Sequence, residues 1–466
     1  MGLNPLQQTL ALCALGVTAG AIAQARSLAP LLDRIRPAVD VLPGPGSMGP
    51  LPATARAPGT APIPPLPRLQ PRGAPIAPMP PIPVEEPCAQ PGPRGCLRGA
   101  LASFDDAVIA ADRHGSPLRL CHLGDSVVAV DKLTRRIRAT LQARFGDGGT
   151  GWMFPSPPSR WYHPQGATVT ARGWHVLSVV TPGATDDDYG LGGAVFVPQG
   201  PVTETHFQTA RSSAARVEVH YVAQSPGDAW SIAVDDEAPQ VVSTASLTAP
   251  GWTRWRRDLP DGPHRVTLRA LGPRVRVGGV VLDRGRGATV DNLGLVGNSA
   301  RAMHRNLEAP WDRALTLRAP DLVLITLGAN EVAHGPLGPP QRRRIIEAYR
   351  DVLRRIRGAN GRRACLVTSV LDAAEPVDGR LATRPNIPVL IPIQRAEALN
   401  AGCAFWDAFA WMGGRGSALR WHRFGWIEPD LTHPTTAGAA RLGDALLAAL
   451  FATRRPVVAP PPTPLP

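Results

Sequence analysis

Leu120-Cys121-His122-Leu123-Gly124-Asp125-Ser126 is an apolar run that stops abruptly at Gly-Asp-Ser. Counted from Leu118 the run has the length of a buried strand, and a helical pattern starts a few residues later. Leu133, Ile137, Leu141 and Phe145 recur every four residues until Gly146-Asp147-Gly148-Gly149-Thr150-Gly151 stops the helix. Strand, tight turn and helix make one half of an α/β unit. A serine on such a turn is presented at the end of the strand, where its hydroxyl can be activated as a nucleophile. Taken alone, Gly-Asp-Ser is equally good turn and helix-cap composition. Its meaning therefore depends on whether the rest of the chain supplies a base, an orienting acid and donors for an oxyanion.

The same rhythm returns after Ala288. Val290 to Val296 reads as a strand ending at Gly297, and a helix with Met303 and Leu307 follows. Asp321 to Gly328 is an almost unbroken apolar run, the pattern of a strand covered on both faces. A helix from about Gln341 to Arg357, a strand from Ala364 to Val370, a helix near Ile393 to Asn400, a short strand from Cys403 to Trp406 and a last helix over about Thr435 to Phe451 complete the series. Ahead of the first strand, Leu101, Phe104, Val108 and Ile109 have helical spacing. Strands alternating with helices imply a flavodoxin-like parallel sheet with helices on both faces, which delivers its working loops at the carboxyl ends of the strands.

Between Trp152 and Arg286 the period changes from helical to alternating. Arg216 to Val222, Trp230 to Val234 and His264 to Ala270 are separated by Pro, Gly and Asp turns, as in an inserted all-β, jelly-roll-like sandwich. Its tryptophans (Trp152, Trp161, Trp174, Trp230, Trp252 and Trp255) read mostly as core or rim packing, with stacking on sugar rings as the functional alternative. His175, His206, His220 and His264 have no carboxylate or cysteine partners at ligand spacing. His122 reads as a packed polar group, and His334 as a residue bordering the cleft.

The termini differ in kind. Thr9 to Ala23 is apolar and leads into Ala23-Gln24-Ala25, a small-x-small pattern for signal peptidase. The run is shorter than the roughly 20 residues of a spanning helix, so cleavage after Ala25 is the first reading and an uncleaved anchor the second. Much of the chain's 52 prolines lies between Arg26 and Arg94, a composition for extended spacer chain that buries little surface. The expected organisation is a signal peptide or anchor over 1–25, a proline-rich disordered linker over 26–98, an α/β part over 99–151, the β insert over 152–287, the second α/β part over 288–453 and a proline-rich tail over 454–466.

At a net charge of +13, with Lys132 the sole lysine, the basic residues are scattered arginines. This fits residence near anionic polymers better than a nucleic-acid interface. Six cysteines are too few for a disulfide scaffold. Cys88 and Cys96 can close a small loop, and Cys365 and Cys403, at the start of neighbouring strands, read as buried free thiols. No metal motif, no phosphate-binding glycine loop and no nucleic-acid module is present, so no cofactor is expected.

Four loops then fall at the carboxyl edge or before the last helix. They carry Ser126, Gly297-Asn298-Ser299, Gly328-Ala329-Asn330-Glu331 and Asp430-Leu431-Thr432-His433. Asp430 and His433, three apart, can lie on one side of a turn, with the carboxylate holding one ring nitrogen and the other facing a serine. Asn330 offers an amide donor and Gly297 an unobstructed backbone N–H for a developing oxyanion.

In these four blocks the chain resembles the SGNH, or GDSL-type, hydrolase family over about 115–150 and 288–452. The resemblance implies Ser126 as nucleophile, His433 as base and Asp430 as its orienting acid, with Ser126, Gly297 and Asn330 forming the oxyanion hole and Gly294 as the alternative glycine. The family's Gly-x-Asn-Asp stands here as Gly-Ala-Asn-Glu, with Glu331 in a structural role. The β insert after the first helix, the glycine-rich turn at 144–151 and Gly-x-Asn-Glu resemble bacterial peptidoglycan O-acetylesterases with a carbohydrate-binding-like insert; Val127 departs from that group, which often has His there. The resemblance implies an exported or envelope-anchored serine esterase acting on an acylated polysaccharide such as peptidoglycan. An O-acetyltransferase using the same triad and a catalytically silent glycan-binding protein are the alternatives.

Overall fold

A computed structural model of the chain describes residues 81–92, 95–181, 188–209, 212–333 and 335–452. The expected signal, most of the linker and the tail lie outside them, as does His334. No helix among the described residues is long and apolar enough to cross a membrane.

The described chain starts with a hairpin, β1 (Cys88–Gly92) and β2 (Gly95–Gly99), followed by α1 (Ala102–His114), β3 (Leu118–Gly124), α2 (Ser126–Ala129) and α3 (Lys132–Phe145). Eleven strands come next. They are β4 (Gly149–Met153), β5 (Thr168–Arg172), β6 (Trp174–Ser178), β7 (Ala194–Pro198), β8 (Glu204–Gln208), β9 (Ala214–Ala223), β10 (Ala229–Val234), β11 (Gln240–Ser243), β12 (Gly251–Gly262), β13 (Arg265–Ala270) and β14 (Val277–Asp283). The α/β pattern resumes with β15 (Ala288–Gly294), α4 (Ala300–Met303), α5 (Glu308–Arg318), β16 (Leu322–Thr326), α6 (Pro339–Arg357) and β17 (Cys365–Thr368). A ribbon of β18 (Ala374–Val377) and β19 (Arg380–Thr383) precedes α7 (Ile387–Asn400), β20 (Ala404–Trp406), α8 (Ala408–Met412), α9 (Ser417–Arg423) and α10 (Thr436–Ala452).

The central sheet runs β15-β3-β16-β17-β20, and every pair in it is parallel. Numbered by their order along the chain, these five strands lie as 2-1-3-4-5, the flavodoxin-like arrangement. The order reverses at β3, so the loops after β15 and β16 flank the loop after β3. That reversal is where such sheets open a crevice, and Ser126 stands in it. Strands of this sheet are buried along nearly their whole length, as the continuous apolar runs require.

The insert starts at Gly149, three residues before the expected 152. Two antiparallel sheets, β11-β10-β13-β8-β5 and β12-β9-β14-β7-β6, face each other, with β4 on the side of β14. Val217, Val219, Val280 and Leu282 from one sheet pack against Phe207, Trp230, Ile232, Val266 and Leu268 from the other. A second core runs through both parts of the chain: Trp152, Phe154, Tyr189 and Trp252 of the insert share it with Leu123, Leu293 and Trp311. The insert is thus fastened to the α/β sheet by apolar burial. Of its tryptophans, Trp152, Trp230 and Trp252 are buried, whereas Trp161 is 50% exposed.

Two expectations are corrected. Within the linker expected over 26–98, residues 81–92 and 95–98 take a defined place in the fold. Glu85 pairs with Phe405 in both directions at 2.8 Å, and the Trp406 indole donates to the Ile82 carbonyl at 3.1 Å. This backbone covers the free edge of β20, which would otherwise present unpaired groups, and Cys88–Cys96 closes the hairpin as a disulfide. Composition alone missed this because the pairing is made by backbone.

Cys365 and Cys403 are not free thiols but a second disulfide, joining β17 to the residue preceding β20 across a separation of 38. Cys121 is free and buried. Replacing Cys365 and Cys403 together by alanine is expected to cost about 3–4 kcal/mol, as loop-closure entropy predicts for this separation. An unchanged urea midpoint would refute it.

Candidate active site

Each residue of Gly124-Asp125-Ser126 has a physical reason. A Cβ on Gly124 would lie 2.7 Å from the Thr326 carbonyl oxygen and 2.2 Å from a Val128 methyl, so β3 and β16 approach here only with glycine. Asp125 is the N-cap of α2: one carboxylate oxygen accepts from the Val127 N–H at 3.0 Å. The other accepts from the Ala329 N–H at 3.1 Å, which ties the β16 loop to the serine turn. Burial pushes the Asp125 carboxyl up to about 6, against these hydrogen bonds. Ser126 is left at the first helical position, half-buried, with its hydroxyl as the one reactive group on the turn.

The histidine reaches it from 307 residues away: Ser126 Oγ lies 2.8 Å from His433 Nε2. His433 Nδ1 lies 2.6 Å from Asp430 Oδ2. A carboxylate can only accept, so the proton sits on Nδ1 and Nε2 is free to accept from the serine. The other oxygen of Asp430 accepts from the backbone N–H groups of Thr432, at 2.9 Å, and His433, at 3.0 Å. The turn is tight enough that Leu431 is held at φ 56°.

Burial alone would raise the Asp430 carboxyl, but these hydrogen bonds and the imidazole hold it at about 2. The Asp430 hydrogen bond in turn lifts His433 above its ordinary value, with Asp125 adding to the lift while burial and Lys132 oppose it. The sole lysine braces this loop: Lys132 Nζ donates to Glu428 at 2.7 Å and to the Pro434 carbonyl at 3.4 Å. Arg384 donates to Thr432 Oγ1 at 3.0 Å.

Opposite the histidine, Asn330 Nδ2 donates one hydrogen to the Asn298 carbonyl at 2.7 Å, which fixes the amide and leaves its second hydrogen available. Asn298 is itself buried and donates to the Gly124 carbonyl at 3.1 Å. Gly297 turns at φ 87° with open space where a side chain would stand. Its N–H, like that of Ser126, has no acceptor among the described residues. Gly294 is excluded as the alternative, because its N–H is taken by Asn292 Oδ1 at 3.0 Å.

Glu331 lies behind these loops, buried, accepting from the Ala300 N–H at 2.7 Å. Burial, reinforced by Asp125, pushes it up to about 7. It clamps the β15 and β16 loops together. His122, deeper in β3, is wedged between Thr134, at 2.8 Å, and Thr326, at 3.0 Å, and burial holds it neutral at about 3.

The structure therefore brings Ser126, His433, Asp430, Gly297 and Asn330 to one edge of the sheet. Sequence reasoning missed Asp125 as a clamp between loops, Asn298 as the support of Asn330, and Lys132 as the brace of the histidine loop. Only Asp125, with its cap pattern, carried a local signal. Among the described residues no group of three His, Cys, Asp or Glu side chains is placed to hold a metal ion.

Residues 245–441 match the family model of GDSL-like lipases/acylhydrolases. That segment starts within the insert and holds Gly297, Asn330, Asp430 and His433 but not Ser126, which precedes the insert. No curated protein matches the chain. Among solved structures, the chain is similar to a peptidoglycan O-acetylesterase at 21% identity, covering 75% of this chain and 95% of that one, with a TM-score of 0.63. A family two carbohydrate esterase from Cellvibrio japonicus is 11% identical over 61% of this chain and 98% of that one, at a TM-score of 0.25. An acetyl xylan esterase is 16% identical over 35% and 80%, at 0.26. By its 2-1-3-4-5 sheet and its likeness to the solved esterase, this chain has the SGNH hydrolase fold, and its residues 245–441 are similar to the GDSL-like lipases/acylhydrolases.

Proposed function

We propose that the protein is an exported serine esterase that removes O-acetyl groups from a cell-envelope polysaccharide, with O-acetylated peptidoglycan as the substrate. The observation that carries the chemistry is the hydrogen-bonded chain Ser126–His433–Asp430 opening onto three available donors. His433 Nε2 takes the hydroxyl proton as Ser126 Oγ attacks the acyl carbon. The N–H groups of Ser126 and Gly297 and the second Nδ2 hydrogen of Asn330 receive the oxyanion. The imidazolium, held by an Asp430 that stays ionised, then gives the proton to the departing sugar oxygen. Water repeats the sequence on the acyl-enzyme and releases acetate.

Three features support the substrate and compartment. The solved peptidoglycan O-acetylesterase is similar along three quarters of the chain. Two disulfides suit an oxidising compartment, and the 1–25 segment reads as an export signal. Acetate release from O-acetylated peptidoglycan, acetylated xylan and a lipid ester tests the reading. The largest kcat/KM is expected on peptidoglycan, and a preference for the lipid ester would overturn it.

The pH profile is a separate expectation. His433 must be neutral to act as base, and its value is raised. Activity is therefore full at alkaline pH and falls through a midpoint above about 6.5 as pH drops. In Asp430→Asn the midpoint moves to lower pH and kcat falls by roughly four orders of magnitude, because the wrong tautomer is no longer penalised. A profile flat between pH 5 and 8 would rule out a histidine base.

A further inference from the structure

We infer that the arm joining β4 to β5 is a carbohydrate subsite of the cleft, with the Trp161 indole as the platform for a pyranose ring of the polymer. This rests on the proposed polysaccharide substrate and names a residue that recognises it.

The arm is built to hold its shape. It carries Pro155, Pro157, Pro158 and Pro164, which restrict the chain before any ligand arrives. Thr205 Oγ1 donates to the Pro155 carbonyl at 2.5 Å, and the Phe154 N–H donates to the hydroxyl of the buried Tyr162 at 2.9 Å. Around the aromatic itself, the Trp161 N–H donates to Ser159 Oγ at 3.3 Å and the Tyr162 N–H to the Ser159 carbonyl at 3.1 Å. The far end is pinned to the catalytic part: the Gln165 N–H donates to Asp131 Oδ2 at 3.1 Å.

That last contact fixes Gln165, at the far end of the arm, to the turn that follows the nucleophile helix. Asp131 ends the short turn from the nucleophile helix, is held at φ 58°, and also takes hydrogen bonds from Arg138 and Asn292. Its neighbour Lys132 holds Glu428 and Pro434, the residues around His433. The arm and the histidine loop thus grip the same two-residue turn, five and six positions after Ser126.

On this stiff mount the indole is 50% exposed, while Tyr162 beside it is 5% exposed. The Arg160 guanidinium lies 4.7 Å from the ring centroid, orienting the indole and adding a donor for sugar hydroxyl or carboxylate oxygens. A large aromatic kept half in water by a rigid arm has its ordering entropy lost in advance, which favours stacking on the C–H face of a sugar.

The test uses the full chain. In a Ser126→Ala background, which separates binding from turnover, Trp161→Ala is expected to weaken co-sedimentation with O-acetylated peptidoglycan about tenfold, and Trp161→Phe to restore most of it. In the active enzyme, Trp161→Ala should lower kcat/KM on peptidoglycan about tenfold more than on p-nitrophenyl acetate, through KM. Unchanged sedimentation, or equal losses on both substrates, overturns the subsite. Failure of the esterase reading shows separately, as hydrolysis that does not depend on Ser126.

Discussion

Ser126→Ala is expected to lower kcat for p-nitrophenyl acetate by about four to six orders of magnitude while leaving the thermal midpoint and polysaccharide binding as they are. The two halves follow from one observation. Among the described residues the Ser126 hydroxyl has a single partner, His433 Nε2, so removing it costs the fold almost nothing. The turn is held instead by Gly124 and by both oxygens of Asp125. Asp125→Ala would therefore be a poor test of chemistry, since it releases the α2 cap and the Ala329 loop together. Hydrolysis that survives in Ser126→Ala, after exclusion of contaminating esterase, would remove the nucleophile assignment, and lost polymer binding would show that the serine supports the cleft as well.

How much of this was legible beforehand depends on whether a residue's role is local. The central sheet was readable because strands covered on both faces must be apolar throughout, and Asp321 to Gly328 can be little else. Ser126, Gly297, Asn330, Asp430 and His433 could be gathered without a structure because parallel strands deliver their loops to one edge. The insert was visible as a change of period from helical to alternating.

What stayed hidden was set by partners distant in sequence. The Cys365–Cys403 adjacency was anticipated, yet neighbouring strands do not fix where two side chains point. Residues 81–87 looked like spacer because their role is to lend backbone to the edge of β20. Helix α7 starts six residues earlier than the pattern suggested, with Pro388 in its first turn, where proline is tolerated, and Pro392 inside it. The ribbon β18–β19 lies between the strand ending at Val370 and the helix near Ile393, where no alternating pattern marks it. Lys132 was noticed for being the only lysine, and nothing in its neighbourhood announced Glu428, 296 positions on.

The least legible feature is the one on which the largest stability effect is expected. Arg318, at the end of α5, has a side chain only 1% exposed. It donates from Nε to Asp291 Oδ2 at 2.6 Å and from Nη2 to Asp291 Oδ1 at 3.0 Å, with Asp283 Oδ2 3.5 Å from Nη1. Asp291 also accepts from the Trp152 N–H at 2.8 Å and the Cys121 thiol at 3.5 Å. One guanidinium thus joins the last insert strand β14 to β15 and α5, and through Asp291 reaches β4 and β3, where the insert meets the catalytic sheet. Replacing such a pair by apolar groups can be neutral, but removing one partner leaves a buried charge uncompensated. Arg318→Met is therefore expected to destabilise by about 3–5 kcal/mol, read as a lowered urea midpoint. Adding Asp291→Asn and Asp283→Asn should recover part of the loss, because the stranded carboxylates are then gone. A loss below about 1 kcal/mol for Arg318→Met, or no recovery in the triple variant, would mean that apolar burial alone fastens the insert and that the ion cluster contributes little to the junction.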